Sequence, residues 1–175
     1  IGRSYIAPKF AFGYGQSRWG YKTEDDFRTV VKKYRENHVP LDMVYMDIDY
    51  MQDYKDFTVN EERFPDFEGF VQDMKKEKIH LVPIIDAGVK IEKGYDVYEE
   101  GVANNYFCKR ADGSDFVAAV WPGDTHFPDV LNPEASPCHV ISKEVVNLVV
   151  THHLPIHIVV HRCVILRIVG NTCRH

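Results

Sequence analysis

No stretch of the 175 residues approaches the roughly 18 to 20 consecutive apolar residues of a membrane-spanning helix, so the sequence offers no membrane span. Positive charge is not in excess either: 21 Lys and Arg stand against 26 Asp and Glu, a formal net charge of −5. Binding a nucleic-acid backbone needs the opposite balance, which excludes nucleic acid as a partner. Cysteine is sparse. Cys108, Cys138, Cys163 and Cys173 show no C-x-x-C spacing and no disulfide framework, and a reducing compartment is the default. No G-x-G-x-x-G or Walker-type loop occurs, and GYG at 13–15 is too short to stand for one, so a nucleotide-binding sheet loses its usual signature. G-x-S-x-G is missing as well, and with it the nucleophile elbow of Ser/His/Asp hydrolases. The chain opens on Ile1 with no basic and apolar leader; the expectation is a piece of a longer, cytoplasmic protein.

What is present is ordinary globular composition, 45% apolar and 27% charged, with a rich aromatic share of 13%. It is unevenly spread. Residues 1–135 hold all 22 aromatics and 25 of the 26 acids, whereas residues 136–175 hold one acid, no Phe, Tyr or Trp, and six of the nine histidines. The expected division is therefore a folded unit over 1–135 and an atypical, β-branched tail over 136–175, such as an out-of-frame or fused segment produces.

Before that break a period is visible. KFAFGYGQ (9–16) reads as a strand. Thr23 is placed to cap a helix whose first turn is acidic and whose apolar residues Phe27, Val30, Val31 and Tyr34 share one face. MVYMDID (43–49) reads as a second strand. A second helix follows Pro65 with the stripe Phe67, Phe70, Val71 and Met74, and HLVPIID (80–86) is the third strand. Strand starts near 9, 43 and 80 repeat at roughly 35 residues, the mark of parallel βα units. YFCKRADGSDFVAAVWPG (106–123) predicts a hairpin turning at Ala111–Gly113, and NPEA (132–135) opens a further helix. Both a doubly wound sheet and a (β/α)8 barrel suit this pattern, and both gather chemistry at the carboxyl ends of strands. Without a nucleotide loop the barrel is favoured.

Strands two and three end in acids. Asp47 and Asp49 are two apart, which on an extended chain puts both on one face, and Asp86 closes the third strand. A carboxylate there can cap the next turn, accept a sugar hydroxyl or hold a metal. Trp19 and Trp121, the only two tryptophans, lie beside turn residues, not inside a helical stripe. An indole can be core filler; it also stacks on the C–H face of a sugar while carboxylates take the hydroxyls around it. In the tail, His153, His157 and His161 have a helical spacing. Their β-branched surroundings disfavour a helix, and on a strand they lie too far apart for one ion, so no metal or other cofactor is assigned.

FGYGQSRWGYKTEDD, PLDMVYMDIDYMQDYKDFTVNEERFPD, LVPIIDAGVK and CKRADGSDFVAAVWPGDTHFPDVLNPEA, in that order, resemble glycoside hydrolase family 31 over about residues 8 to 135. The resemblance implies an α/β fold, part of a (β/α)8 TIM barrel comprising its first three βα units and a small insert, the remainder of the barrel being missing. It implies an α-glucosidase-type activity on terminal α-linked glucose, with an α-glucoside oligosaccharide as ligand. Asp47 is then expected to bind sugar hydroxyls, with Ile48 and Ile84 as pocket walls. Trp121 would contact the sugar, and Trp19 would influence the linkage accepted. Asp49 and Asp86 are supporting candidates. The family's nucleophile motif, W-x-D-M-N-E-P, is absent, and His157 stands near its expected place; the general acid would lie beyond residue 175. The expectation is a sugar-binding segment that is inactive alone. A non-catalytic carbohydrate-binding remnant and an unrelated partial barrel whose acids hold a metal are the alternatives.

Overall fold

A computed structural model describes residues 6–86 and 88–135. Its first half is a βαβαβ succession: β1 (Gly15–Gln16), α1 (Glu24–Glu36), β2 (Met43–Met46), α2 (Phe67–Lys76) and β3 (His80–Pro83). The three strands pair in parallel in the order β1-β2-β3, with Gln16 beside Val44 and Met46 beside Pro83. Parallel neighbours need a crossover between them, and α1 and α2 supply it.

Local chemistry explains both helices. Thr23 Oγ1 accepts from the Asp26 N–H at 3.3 Å while Asp26 Oδ2 accepts from the Thr23 N–H at 3.0 Å, a reciprocal cap that satisfies donors the helix start would leave free. Asp66 caps α2 by accepting from the Gly69 N–H. Phe27 and Val31 of α1 are buried, as are Phe67, Phe70, Val71 and Met74 of α2. These faces close over β2 around three rings, Phe27 lying 6.1 Å from Phe64 and 5.8 Å from Phe70. Truncating a fully enclosed ring such as Phe27 costs on the order of 3–5 kcal/mol, because its cavity fills only in part.

Three strand readings need correction. Residues 9–16 are not one strand: Lys9–Phe12 form a 3₁₀ turn in which no residue is buried, so the alternation there has no core to face. Only Gly15 and Gln16 pair. The second strand stops at Met46, since the Asp47 carboxylate accepts from the Ile48 N–H and starts a 3₁₀ turn over Ile48–Tyr50. The third stops at Pro83 for want of a continuing partner strand.

The insert after β3 is a second small sheet with its own core. β4 (Val89–Lys90), β5 (Ala118–Val120) and β6 (Gly123–His126) pair antiparallel in the order β4-β6-β5, and α3 (Asp96–Ala103) lies between β4 and β5 in sequence. α3 carries no strong apolar period and was not legible in advance. Val89, Tyr95, Val97, Tyr106, Phe107 and Ala135 form the core. The expected turn at 111–113 is present, with the Gly113 N–H donating to the Arg110 carbonyl, but it is flanked by a single bridge, Lys109 to Asp115. The paired hairpin is the next one, β5–β6, and Trp121 sits in its turn. Asn132–Ala135 make a turn, and any helix continuing it falls outside the described residues.

Candidate functional site

Each parallel strand delivers one residue to the same place. Ser17 follows the last paired residue of β1, Asp47 that of β2 and Ile84 that of β3. With Tyr45, Met46, Val82 and Pro83 they line a hollow of about 190 Å³ at the carboxyl ends of the strands. The Ile84 N–H donates to the Met46 carbonyl at 2.9 Å, which keeps the two strand ends level. One Asp47 oxygen accepts from the Ile48 N–H at 2.8 Å; the other has no partner among the described residues. A half-exposed carboxylate with a spare oxygen, beside apolar walls, is equipped to accept a hydroxyl hydrogen.

Support for this rim comes from the loop after β2. Tyr50, fully enclosed, donates its hydroxyl to the Ile84 carbonyl at 2.8 Å. Burial pushes the Tyr50 phenol far above its ordinary range, with Asp56 and Tyr95 adding to it, so it stays a donor. Asp56, also buried, accepts from the Asp86 N–H at 2.9 Å. Its own burial raises its carboxyl well above the usual range; the bond from Asp86 opposes this and the Asp86 charge adds to it. Neither Tyr50 nor Asp56 stood out as a support in the sequence, since both lie in loop backbone without a period.

The other expected site residues are dispersed. Ile48, the first residue of the 3₁₀ turn, is buried and does not line the hollow. Trp19 is 65% exposed, with Lys22 Nζ 5.9 Å from its ring centre, and Trp121 is 69% exposed in the β5–β6 turn; neither lines the hollow. Asp49 does not share a face with Asp47, because the backbone between them turns. It is enclosed, its carboxylate oxygens without hydrogen-bond partners among the described residues and Oδ1 3.7 Å from Arg63. Asp86 is half-buried beside Asp56. Among the described residues no three His, Cys, Asp or Glu side chains come together in one group. His153, His157 and His161 lie outside the described residues.

The family model for the glycosyl hydrolases family 31 TIM-barrel domain matches residues 4–153, past the composition break near 136. An alpha-glucosidase 2 of Bacillus thermoamyloliquefaciens is 43% identical over 131 residues, covering 75% of this chain and 17% of that protein. Among solved structures, a glucosidase II alpha subunit superposes with a TM-score of 0.70 at 34% identity over 72% of this chain and 14% of its own. A family 31 alpha-glucosidase from Bacteroides thetaiotaomicron does so with 0.65 at 35% identity, over 74% and 22%. The chain thus spans about a sixth of the length of the curated relative.

Proposed function

The chain belongs to glycosyl hydrolase family 31, and from that premise we propose that it supplies the sugar-holding side of a retaining α-glucosidase pocket. The single observation that carries this reading is the hollow at the carboxyl ends of β1, β2 and β3, with Asp47, one of whose carboxylate oxygens is spare, among its lining residues. Asp47 accepts hydroxyls of a terminal α-linked glucose and Ile84 packs against the ring. Ile48 supports the wall from beneath, and Trp19 and Trp121 close over the sugar from the loops. The likeness to alpha-glucosidases supports the ligand class, an α-glucoside oligosaccharide.

Retention needs two further carboxyl groups. One attacks the anomeric carbon to form a glycosyl ester, and the other protonates the leaving oxygen roughly 5 to 5.5 Å away. The proposal assigns both to later strands of the barrel and leaves these 175 residues without turnover of their own. It keeps residues 1–135 as the barrel part and 136–175 as a separate tail, on the compositional break.

The test is hydrolysis of p-nitrophenyl α-glucoside together with a maltose titration followed by NMR. Expected are no turnover and a saturable maltose response that Asp47→Ala abolishes. Turnover by the wild-type chain that Asp47→Ala removes would overturn the inactivity, and an unchanged titration in Asp47→Ala would overturn the pocket. Maltose binding without turnover also fits a carbohydrate-binding remnant; the latter reading fails if the same 135 residues hydrolyse when joined to a segment bearing W-x-D-M-N-E-P.

A further inference from the structure

We propose that Asp56 is a positioning residue that joins the strand ends bearing the sugar hollow to the small sheet bearing Trp121. Its carboxylate accepts from the Asp86 N–H at 2.9 Å, two residues past Ile84. Its backbone carbonyl accepts from the Tyr95 hydroxyl at 2.9 Å, and Tyr95 belongs to the core of the small sheet. Next to it, Lys55, with only 15% of its side chain exposed, pairs with Glu92 at 2.7 Å just after β4. Two neighbouring residues therefore carry three ties, one to the end of β3 and two to the insert.

The route onward to Trp121 is steric. A Cβ on Gly88 would fall 2.6 Å from Val120 Cγ2, so the β5–β6 hairpin rests directly on the chain leaving Asp86. Gly88 lies two residues past Asp86, so a displacement of Asp86 is expected to be felt under Val120, the residue before Trp121.

The loop carrying Asp56 is held in costly backbone. Asp53, Tyr54 and Phe57 have φ of 53°, 59° and 62°, left-handed values that residues with a Cβ seldom adopt. Such a conformation persists only where its surroundings over-determine it; here the three ties hold Lys55 and Asp56, and the Thr58 hydroxyl closes the loop by accepting from the Gln52 N–H and donating to the Lys55 carbonyl. Burial of the Asp56 carboxyl has the same sense: an acid only 3% exposed carries a desolvation cost that its bond from the Asp86 N–H offsets.

The proposal rests on the sugar reading for its consequence, but its primary readout does not. Amide hydrogen exchange of the full chain is compared in Asp56→Ala, Asp56→Asn and the control Phe107→Leu, which loosens the small core against Tyr98 and His126, ring partners outside the joint. In Asp56→Ala the Asp86 amide is expected to exchange about tenfold faster and the Trp121 indole signal to move, while Val31 and Val44 keep their protection. Asp56→Asn keeps an acceptor for Asp86 and is expected to restore protection to within about twofold. Unchanged exchange at Asp86, or acceleration spread equally into Val31 and Val44, would overturn the joint; so would the same local pattern in Phe107→Leu. Should Asp56→Ala fail to fold, Tyr95→Phe removes one tie and keeps the ring. It is expected to speed exchange at Asp86 and not in α1, and no difference there overturns the joint. In a maltose titration, Asp56→Ala is expected to bind about tenfold more weakly with the Trp121 response lost. If the wild type ignores maltose, the sugar reading fails while the exchange comparison still decides the role of Asp56.

Discussion

The hydroxyl of Tyr50 and the carbonyl of Ile84 meet at 2.8 Å, joining the turn after β2 to the residue that ends β3. Asp47 stands three residues before Tyr50, so this bond fixes the distance between the carboxylate and the apolar wall of the hollow. Tyr50→Phe keeps the ring in the core and loses only the oxygen. The expected cost is about 1 kcal/mol, read from urea denaturation, with core protection retained. A loss above about 3 kcal/mol would mean that the ring, not the bond, had been disturbed.

Glu92 shows how the insert depends on pH. Hydrogen bonds from Lys55 and then Lys90 hold its carboxyl down at about 2, below the ordinary 4.5. A depressed folded-state value contributes stability that is complete above the ordinary pKa and disappears as the pH falls through the folded value. Thermal melts of the wild type should therefore decline between about pH 4.5 and 2, and Glu92→Gln should melt lower at pH 7 with a flatter acid limb. Parallel limbs in the two proteins would refute the assignment.

Gly101 leaves no room on α3. A Cβ there would lie 2.2 Å from Phe107 Cζ, and Phe107 is enclosed in the second core. Relief requires the ring to shift against Tyr98 and His126, with which it is stacked. Gly101→Ala is expected to destabilise by roughly 1–3 kcal/mol despite the better helix propensity of alanine, since overpacking exceeds the propensity gain of about 1 kcal/mol. Equilibrium unfolding checks the sign.

Trp19→Ala and Trp121→Ala should leave stability within about 0.5 kcal/mol of the wild type, because both indoles are mostly in solvent. Under the proposed function each should weaken maltose binding by roughly fivefold, the effect of about 1 kcal/mol of lost ring contact. An unchanged dissociation constant in Trp121→Ala would remove that residue from the site.

The elements legible in the sequence were those whose signal is local. The α1 stripe from Phe27 and the α2 stripe from Phe67 repeat at helical spacing, and Thr23 and the acids after it mark a start that backbone chemistry requires. Parallel pairing was the expectation from that alternation, since a helix between strands supplies the crossover that parallel neighbours need, and the strands pair that way. What the residues could not announce depends on contacts distant along the chain. Alternation over 9–12 looked like a strand but buries nothing, and Asp49 was turned inward by a cap that its neighbour Asp47 makes.

The gathering of Ser17, Asp47 and Ile84 at one rim, 67 residues apart from first to last, was decided by strand register. So was the place of Asp56, whose carboxylate meets a backbone N–H thirty residues away. Periodicity and capping are properties of a few consecutive residues and can be read along a line. A pocket wall and its supports are made by side chains that only packing brings together, and that was settled in three dimensions.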